Sequence, residues 1–176
     1  MPCVETLLWA TTLHNLRYAL QEKIAKNFNF DSHAANLEEL RNEYKHSIAM
    51  LPFDWPLQEC NCVMYALDLL LNPATSFLGH FHANTGFLGW LIDQGHLSLV
   101  EGVPQEGSIA AYFSGQKAEH VGIVKTTDRV VSKWGIGHVY EHGSWEVPSS
   151  YGSSLQYFTP ITSDDALSML EVFQRR

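Results

Sequence analysis

The sequence predicts an α+β domain in which helices come first and an antiparallel sheet follows. Apolar residues recur at helical spacing through the first half of the chain, and short β-type runs separated by turn residues fill most of the second half. We expect one domain over residues 1–176, with a helical layer over 1–50, a core over 51–160 and a last helix over 161–176.

Two amphipathic helices are predicted in the helical layer. The first covers residues 5–27, where leucines and an isoleucine recur at steps of three and four. The second starts at Asp31 or Ser32, which are both good N-cap residues, and continues through Ile48 until Pro52 stops it.

A third helix follows Cys62. Residues 63–71 are apolar nearly all round, so this helix is expected to be the buried one at the centre of the domain. A short fourth helix is predicted over 86–95, with Asn84 or Thr85 as its cap.

Six β-type runs follow from residue 97, and their spacing suits an antiparallel meander. The runs are "LSLVE", "GSIAAYFS", "HVGIVKT", "RVVSKWG", "GHVYEH" and "LQYFT". A last helix, capped near Ser163, is expected over 164–174.

Composition excludes several classes of function. The chain has 11 Lys and Arg against 19 Asp and Glu, a net charge of −8, so it lacks the basic surface that binds nucleic acid. Its first residues resemble neither a signal peptide nor a membrane span. Three cysteines without paired spacing do not form a disulfide framework, and we expect a cytoplasmic protein with no membrane partner and no cofactor.

Cys62 and His120 are the candidate nucleophile and base. A thiol at a helix N-terminus lies near unpaired N–H groups and the positive end of the helix dipole, and both lower the pKa of a cysteine. His120 opens an alternating strand, from which an imidazole can face the start of a helix. Each residue alone is a common core or surface residue, and their order in the chain is what suggests a catalytic pair.

The segments "NCVMYAL", "GSIAAYF" and "HVGIV" together resemble the NlpC-like branch of the papain-fold cysteine peptidases. In that branch a helix-borne cysteine precedes a strand-borne histidine, and the resemblance covers about residues 58–157. It implies a papain-like fold, a cysteine peptidase or amidase activity, and a substrate that contains a peptide or other amide bond. The order also disfavours the lecithin:retinol acyltransferase-like enzymes, whose histidine precedes the cysteine.

The resemblance implies a third polar residue about twelve positions after the histidine. That position holds Ser132, which accepts a hydrogen bond but adds no charge. "SKWGIGHVYEH" followed by "YG" also resembles a group of bacterial papain-like domains, in which Glu141 or His142 is an alternative partner for His120.

The remaining site residues are an oxyanion hole and the walls of a cleft. The hole is expected to use the main-chain N–H of Cys62, with Gln58 or Asn61 as a side-chain donor. Aromatic cleft walls are expected from Trp134, Trp145 and Tyr151, which lie in the same part of the chain.

Three alternatives to a hydrolase stay open. The same fold can serve as a binding module with an inert Cys62, or as a glutamine deamidase or transglutaminase that differs in the nucleophile resolving the thioester. A zinc site formed by Cys60, Cys62, His80 and His82 is the weakest, because C-x-C with H-x-H is not a familiar ligand spacing, and we expect no metal.

Overall fold

Six antiparallel strands form one sheet at the centre of the protein. The computed structural model describes residues 4–70 and 83–176, and in that part of the chain the strands lie side by side in the order β1-β5-β4-β3-β2-β6. Their bounds are β1 Ala49–Leu51, β2 Ile109–Ser114, β3 Lys117–Thr126, β4 Arg129–Lys133, β5 Val139–Gly143 and β6 Ser154–Phe158. The protein is therefore an α+β protein, and β2 to β5 form the predicted meander.

Five helices of the described residues cover the two faces of this sheet, and none of them is long and apolar enough to cross a membrane. They are α1 Val4–Leu20, α2 His33–Tyr44, α3 Cys62–Ala66, α4 Thr85–Asp93 and α5 Ser163–Gln174. One apolar cluster joins α1 and α2 to the face that carries Tyr112 and Tyr140, and we call it the N-terminal face. A second joins α3, α4 and α5 to the face that carries Ala111 and Val121, which we call the C-terminal face.

Two of the predicted helices are confirmed almost residue by residue. The side chain of Asn84 accepts hydrogen bonds from the N–H groups of Gly86 and Phe87 and so begins α4. The cap of α5 is Thr162, one residue before the predicted position, and it accepts from the N–H of Asp165. Both segments combine an oxygen-bearing cap with an amphipathic run, the strongest signal that a single sequence gives.

The prediction of one helix up to Ile48 is wrong. Helix α2 ends at Tyr44 because Lys45 adopts a left-handed conformation, with φ of 54°. The next residues form the edge strand β1, in which Met50 pairs with Tyr140 of β5. Helix α1 also ends early, at Leu20, and a π-type turn over Gln21–Ala25 follows it.

Two other segments are shorter than predicted. Helix α3 ends at Ala66, and Asp68 has φ of 51°, so the apolar run after it is not one continuous helix; Leu71 lies outside the described residues. Of "LSLVE", only Leu99 forms a bridge, to Phe158. An apolar run reports burial more directly than it reports secondary structure.

Gly122 lets β3 and β4 approach each other on the N-terminal face. A Cβ at this position would lie 2.6 Å from Val130 Cγ1, 2.8 Å from Ser132 Cβ and 2.8 Å from the Val131 oxygen. We expect Gly122→Ala to lower the free energy of unfolding by about 1–3 kcal/mol, because neither strand can move aside without disturbing the core. Chemical denaturation measures this change.

Gly89 supplies the matched control, because it lies in α4 and an added Cβ would meet no atom within 4 Å. Gly89→Ala is expected to leave stability unchanged or raise it by about 0.5–1 kcal/mol through helix propensity. Equal effects of the two substitutions would contradict the close approach at Gly122.

Candidate active site

Cys62 is the first residue of α3, as the sequence predicts. Asn61 caps the helix: its Oδ1 accepts hydrogen bonds from the N–H groups of Val63 (2.9 Å) and Met64 (3.1 Å). Its Nδ2 donates to the carbonyl of Ala83 at 2.9 Å and so ties the cap to the chain before α4. The direction in which the Cys62 side chain leaves the helix is therefore fixed on both sides.

The sulfur of Cys62 lies against three main-chain N–H groups. They belong to Cys62 itself, to Val63, and to Val121 of β3, and each lowers the pKa of the thiol. Val121 lies on the C-terminal face, where α3 packs across β3. Converging N–H groups of this kind favour a negative charge on sulfur.

Burial outweighs these donors. The Cys62 side chain is 8% exposed, and loss of hydration raises the pKa of its thiol to about 11. The lowered pKa expected from the helix N-terminus is therefore not present in the free protein, and the thiol is protonated at neutral pH. The helix has only five residues, so its dipole is small, and Asn61 already uses two of its free N–H groups.

His120 follows an irregularity in β3. Tyr112 of β2 pairs with His120 and the next residue, Phe113, pairs with Ala118, so Glu119 is an extra residue on β3. Such bulges redirect the neighbouring side chains and occur often beside active sites. Here the imidazole lies with Tyr112, whose side chain belongs to the N-terminal face.

The ring of His120 is buried and is held by aromatic contacts. It stacks on Tyr151, with 3.8 Å between centroids and 17° between planes, and is 1% exposed. Its Nε2 is buried and has no hydrogen-bond partner among residues 4–70 and 83–176. Burial, with a smaller contribution from His142, holds the pKa of His120 well below its usual value, so the ring is neutral.

Cys62 and His120 are linked through one peptide bond, although the thiol packs on the C-terminal face and the imidazole lies with Tyr112 and Tyr151 of the N-terminal face. The N–H that approaches the sulfur is that of Val121, and this amide nitrogen is bonded directly to the carbonyl carbon of His120. The free protein nevertheless holds a neutral thiol and a neutral imidazole, and not a thiolate–imidazolium pair.

Ser132 and His142 form a closed hydrogen-bonded chain on the N-terminal face. Trp134 Nε1 donates to Ser132 Oγ at 3.0 Å, and Ser132 pairs with His142 Nε2 at 2.8 Å. Because His142 Nδ1 lies 2.9 Å from the Gly143 carbonyl, which can only accept, Nδ1 carries the proton and Ser132 donates to Nε2. Neither residue is hydrogen-bonded to Nε2 of His120 in the free protein.

Glu141 points away from this chain. Glu141 lies opposite Val131 and Ala49 in the neighbouring strands. Because side chains alternate along a strand, its side chain points to the face opposite that of Ser132 and His142. Its carboxylate lies 3.2 Å from Nε of Arg129 in an ion pair. Of the three candidates for the third position, the structure brings Ser132 and His142 to the face of His120 and leaves Glu141 out.

The two predicted oxyanion donors also differ from expectation. Gln58 is exposed, in a 3-10 turn over Leu57–Glu59. Asn61 lies beside Cys62, but the cap and the Ala83 carbonyl engage both ends of its amide. The main-chain N–H of Cys62 is the predicted donor that does lie at the sulfur.

The three predicted aromatic residues have three different positions. Tyr151 stacks on His120, whereas Trp134 is buried against Tyr140, with 4.3 Å between centroids. Trp145 is half-buried under the guanidinium of Arg17 and lines a cavity of about 530 Å³ between α1, α2 and the strand ends. Only Tyr151 contacts the candidate base.

Lys133 is a site residue that the sequence does not single out. It is fully buried at the end of β4, its Nζ donates to the carbonyl of Gly137 at 2.5 Å, and its charge acts on Cys60 and Cys62. The signal that could have found it is alternation: Lys133 lies directly between Ser132 and Trp134, which point to the N-terminal face, so its own side chain points to the face that carries α3.

No cluster of three or more metal-ligating side chains occurs in residues 4–70 and 83–176. Cys60 and Cys62 are free thiols, whereas His80 and His82 lie outside the described residues.

The buried His142 is expected to make stability depend on pH. Burial lowers the pKa of its ring from 6.5 to about 4. Above about pH 6.5 both states are neutral and the full stability is present; as the pH falls toward 4, only the unfolded chain takes up the proton, so the free energy of unfolding falls, by up to about 3 kcal/mol. Denaturation of the wild type and of His142→Gln between these pH values measures the difference.

The variant removes this one titration and leaves those of His33 and His46, whose pKa values burial also lowers. The loss of stability per pH unit is therefore expected to be smaller in His142→Gln, by about 1.4 kcal/mol at most. Equal slopes in the two proteins would mean that His142 titrates normally.

Asn61 and Asn84 form a matched pair of helix caps, because each accepts from two N–H groups of its own helix. Replacing either with Ala is expected to lower the free energy of unfolding by about 1 kcal/mol. Only Asn61→Ala is expected to change the alkylation rate of Cys62, because only α3 carries the thiol. The same change in rate for both variants would show that the cap does not position the sulfur.

No family model, no curated protein and no solved structure matches the chain. A function for the site therefore has to be inferred from the contacts of Cys62, His120 and Lys133.

Proposed function

We propose that the protein is a papain-like cysteine hydrolase that cleaves an amide bond, with Cys62 as nucleophile and His120 as base. The observation that carries this proposal is the position of the Cys62 sulfur at the N–H of Val121, the residue after His120, whose buried imidazole has an Nε2 without a partner among the described residues. A cysteine at the start of a buried helix packed against an antiparallel sheet, followed by a histidine on a central strand, agrees with the papain-like arrangement.

The free nitrogen of His120 supports a catalytic role. Leaving a buried polar atom without a partner costs about 1–3 kcal/mol, and most proteins avoid it. Ser132 and His142, on the same face, satisfy their own hydrogen bonds completely, so the surroundings are able to provide partners. A ring nitrogen kept free, in a ring locked by Tyr151, suits a group that must accept a proton during a reaction.

The reaction begins with the proton on sulfur. His120 removes this proton as the sulfur attacks the carbonyl carbon, and the negative oxygen that forms is stabilised by main-chain N–H groups at the start of α3. His120 then gives the proton to the leaving amine, whose bond to carbon breaks, and a thioester remains on Cys62. Water, deprotonated by His120, attacks the thioester and releases the acid and the free thiol.

In this scheme the Cys62 thiol and the His120 imidazole are both neutral until a substrate is attacked. With a thiol pKa of about 11 and an imidazole pKa well below its usual value, the proton stays on sulfur in the free protein. Negative charge then develops only as the carbonyl is attacked. His142, with a pKa of about 4, is neutral as well and adds no charge to the site at neutral pH.

A second candidate function is binding by an inert site. The raised pKa of Cys62 and the closed Ser132 and His142 chain favour it, because neither is arranged to activate the thiol of the free protein. A deamidase or transglutaminase would use the same Cys62 and His120 steps and differ only in the group that attacks the thioester.

Acylation of Cys62 by an activated aryl ester, followed by mass spectrometry under single-turnover conditions, separates these functions. His120→Ala is expected to slow acylation by about 100-fold or more, the usual contribution of a general base. Ser132→Ala is expected to change the rate by about twofold at most, because the Ser132 hydroxyl is hydrogen-bonded to His142 and Trp134 and not to His120.

Glu141→Gln is the control, because its carboxylate pairs with Arg129, and it should acylate at the wild-type rate. If His120→Ala keeps the wild-type rate as well, no histidine activates the thiol, and the binding function replaces the hydrolase.

A further inference from the structure

Lys133 is a buried cation that has no carboxylate partner in the part of the chain that the structure describes. It is fully buried, and among the described residues no Asp or Glu lies within ion-pair distance of its Nζ. Lysine is almost never fully buried unless it is paired. Its presence here implies that other groups compensate for the lost hydration.

Two sets of groups surround the ammonium. Main-chain carbonyls of Gly137, at 2.5 Å, and Gly135, at 3.4 Å, accept from Nζ on the side of the turn after β4. On the other side the Cys60 thiol accepts a hydrogen bond, and the ring of Phe53 lies 5.7 Å away. Three acceptors match the three N–H bonds of an ammonium and would exceed what a neutral amine can donate.

Lys133 and Cys62 act on each other electrostatically. Burial lowers the pKa of Lys133, whereas Cys60 and Cys62 raise it, and Lys133 in turn lowers the pKa of both thiols. Helix α3 packs against β4 as well as β3, which brings the start of the helix toward the end of β4. Tyr151 is a further ionisable group near the Cys62 sulfur, because the charge of Cys62 acts on it.

We propose that the ammonium of Lys133 is the fixed positive charge that stabilises the Cys62 thiolate when His120 removes the proton. This inference rests on the proposed function and adds a division of roles to it. His120 is neutral and can move a proton, but it acquires its own positive charge only after the transfer. Lys133 is charged before the transfer, and the Gly135 and Gly137 carbonyls hold its ammonium in place. It stabilises the negative charge on the Cys62 sulfur through space and does not take part in the proton transfer.

A purely structural role is the competing explanation, because Lys133 also holds the turn at Gly135 and Gly137 together. Lys133→Gln removes the charge and keeps an N–H donor for the turn, whereas Lys133→Arg keeps the charge. Lys125→Met is the control, because this exposed lysine of β3 lies beside Glu141 and away from the thiols.

The test is the pH dependence of Cys62 alkylation by iodoacetamide, followed by mass spectrometry of the Cys62 peptide. Lys133→Gln is expected to shift the profile to higher pH, which appears as alkylation about tenfold slower at a fixed pH below the midpoint. Lys133→Arg and Lys125→Met are expected to keep the wild-type midpoint. A folded Lys133→Gln protein with the wild-type profile would overturn the proposal.

A measurement on the wild-type protein covers the case in which Lys133→Gln does not fold. The Lys133 amino group is titrated by NMR, and the rate of Cys62 alkylation is followed through the same pH range. While Lys133 is charged the rate should rise about tenfold per pH unit, and the rise should be smaller across the Lys133 midpoint, because loss of the ammonium makes the thiolate harder to form. A rise of about tenfold per pH unit that continues unchanged through the midpoint would overturn the proposal.

These outcomes remain separable from failure of the hydrolase. If Lys133→Gln shifts the alkylation profile but no ester acylation is seen, the coupling of Lys133 to Cys62 is supported and the hydrolase function is rejected. If acylation depends on His120 but the alkylation profile of Lys133→Gln is unshifted, only the role of Lys133 is rejected.

Discussion

The contact between the Cys62 sulfur and the N–H of Val121 joins the parts of this site. It places the first turn of α3 against the central strand β3, one peptide bond from His120. The Asn61 cap fixes the helix side of the contact, and the bulge at Glu119 fixes the strand side by turning the His120 ring toward Tyr112 and Tyr151. A shift of either element would break the contact between the sulfur and the Val121 N–H.

Burial and the surrounding positive groups have opposite effects on the pKa of the Cys62 thiol, and burial has the larger effect in the free protein. Three N–H groups and the Lys133 ammonium favour the thiolate, yet burial raises the thiol pKa from 9.0 to about 11, which corresponds to about 3 kcal/mol in favour of the protonated form. The same donors would stabilise charge on sulfur or on a developing oxyanion during attack. The site is thus arranged for a charge that it does not carry at rest.

Local signals explain which parts of the fold could be predicted. Asn84 and Thr162 mark helix starts through their own side-chain oxygens, and the alternating runs of β2 to β6 match the strands closely. The helix expected up to Ile48 fails because β1 is specified by pairing with β5, ninety residues away in the chain, and not by its own pattern. Cys62 and His120 could be proposed from their order. The raised thiol pKa and the buried Lys133 could not, because both depend on how α3 packs across β3 and β4.

The protonation state of Cys62 is the central claim of this account. Its most direct test is a pH titration of the thiolate ultraviolet absorbance in the wild-type protein, from which the titration of Cys62→Ser is subtracted so that Cys60 cancels. A midpoint near pH 11 is predicted, because burial outweighs the surrounding N–H groups and Lys133. A midpoint below that of a free cysteine thiol, about 8.5, would contradict the account and would mean that the thiolate is already formed in the free protein.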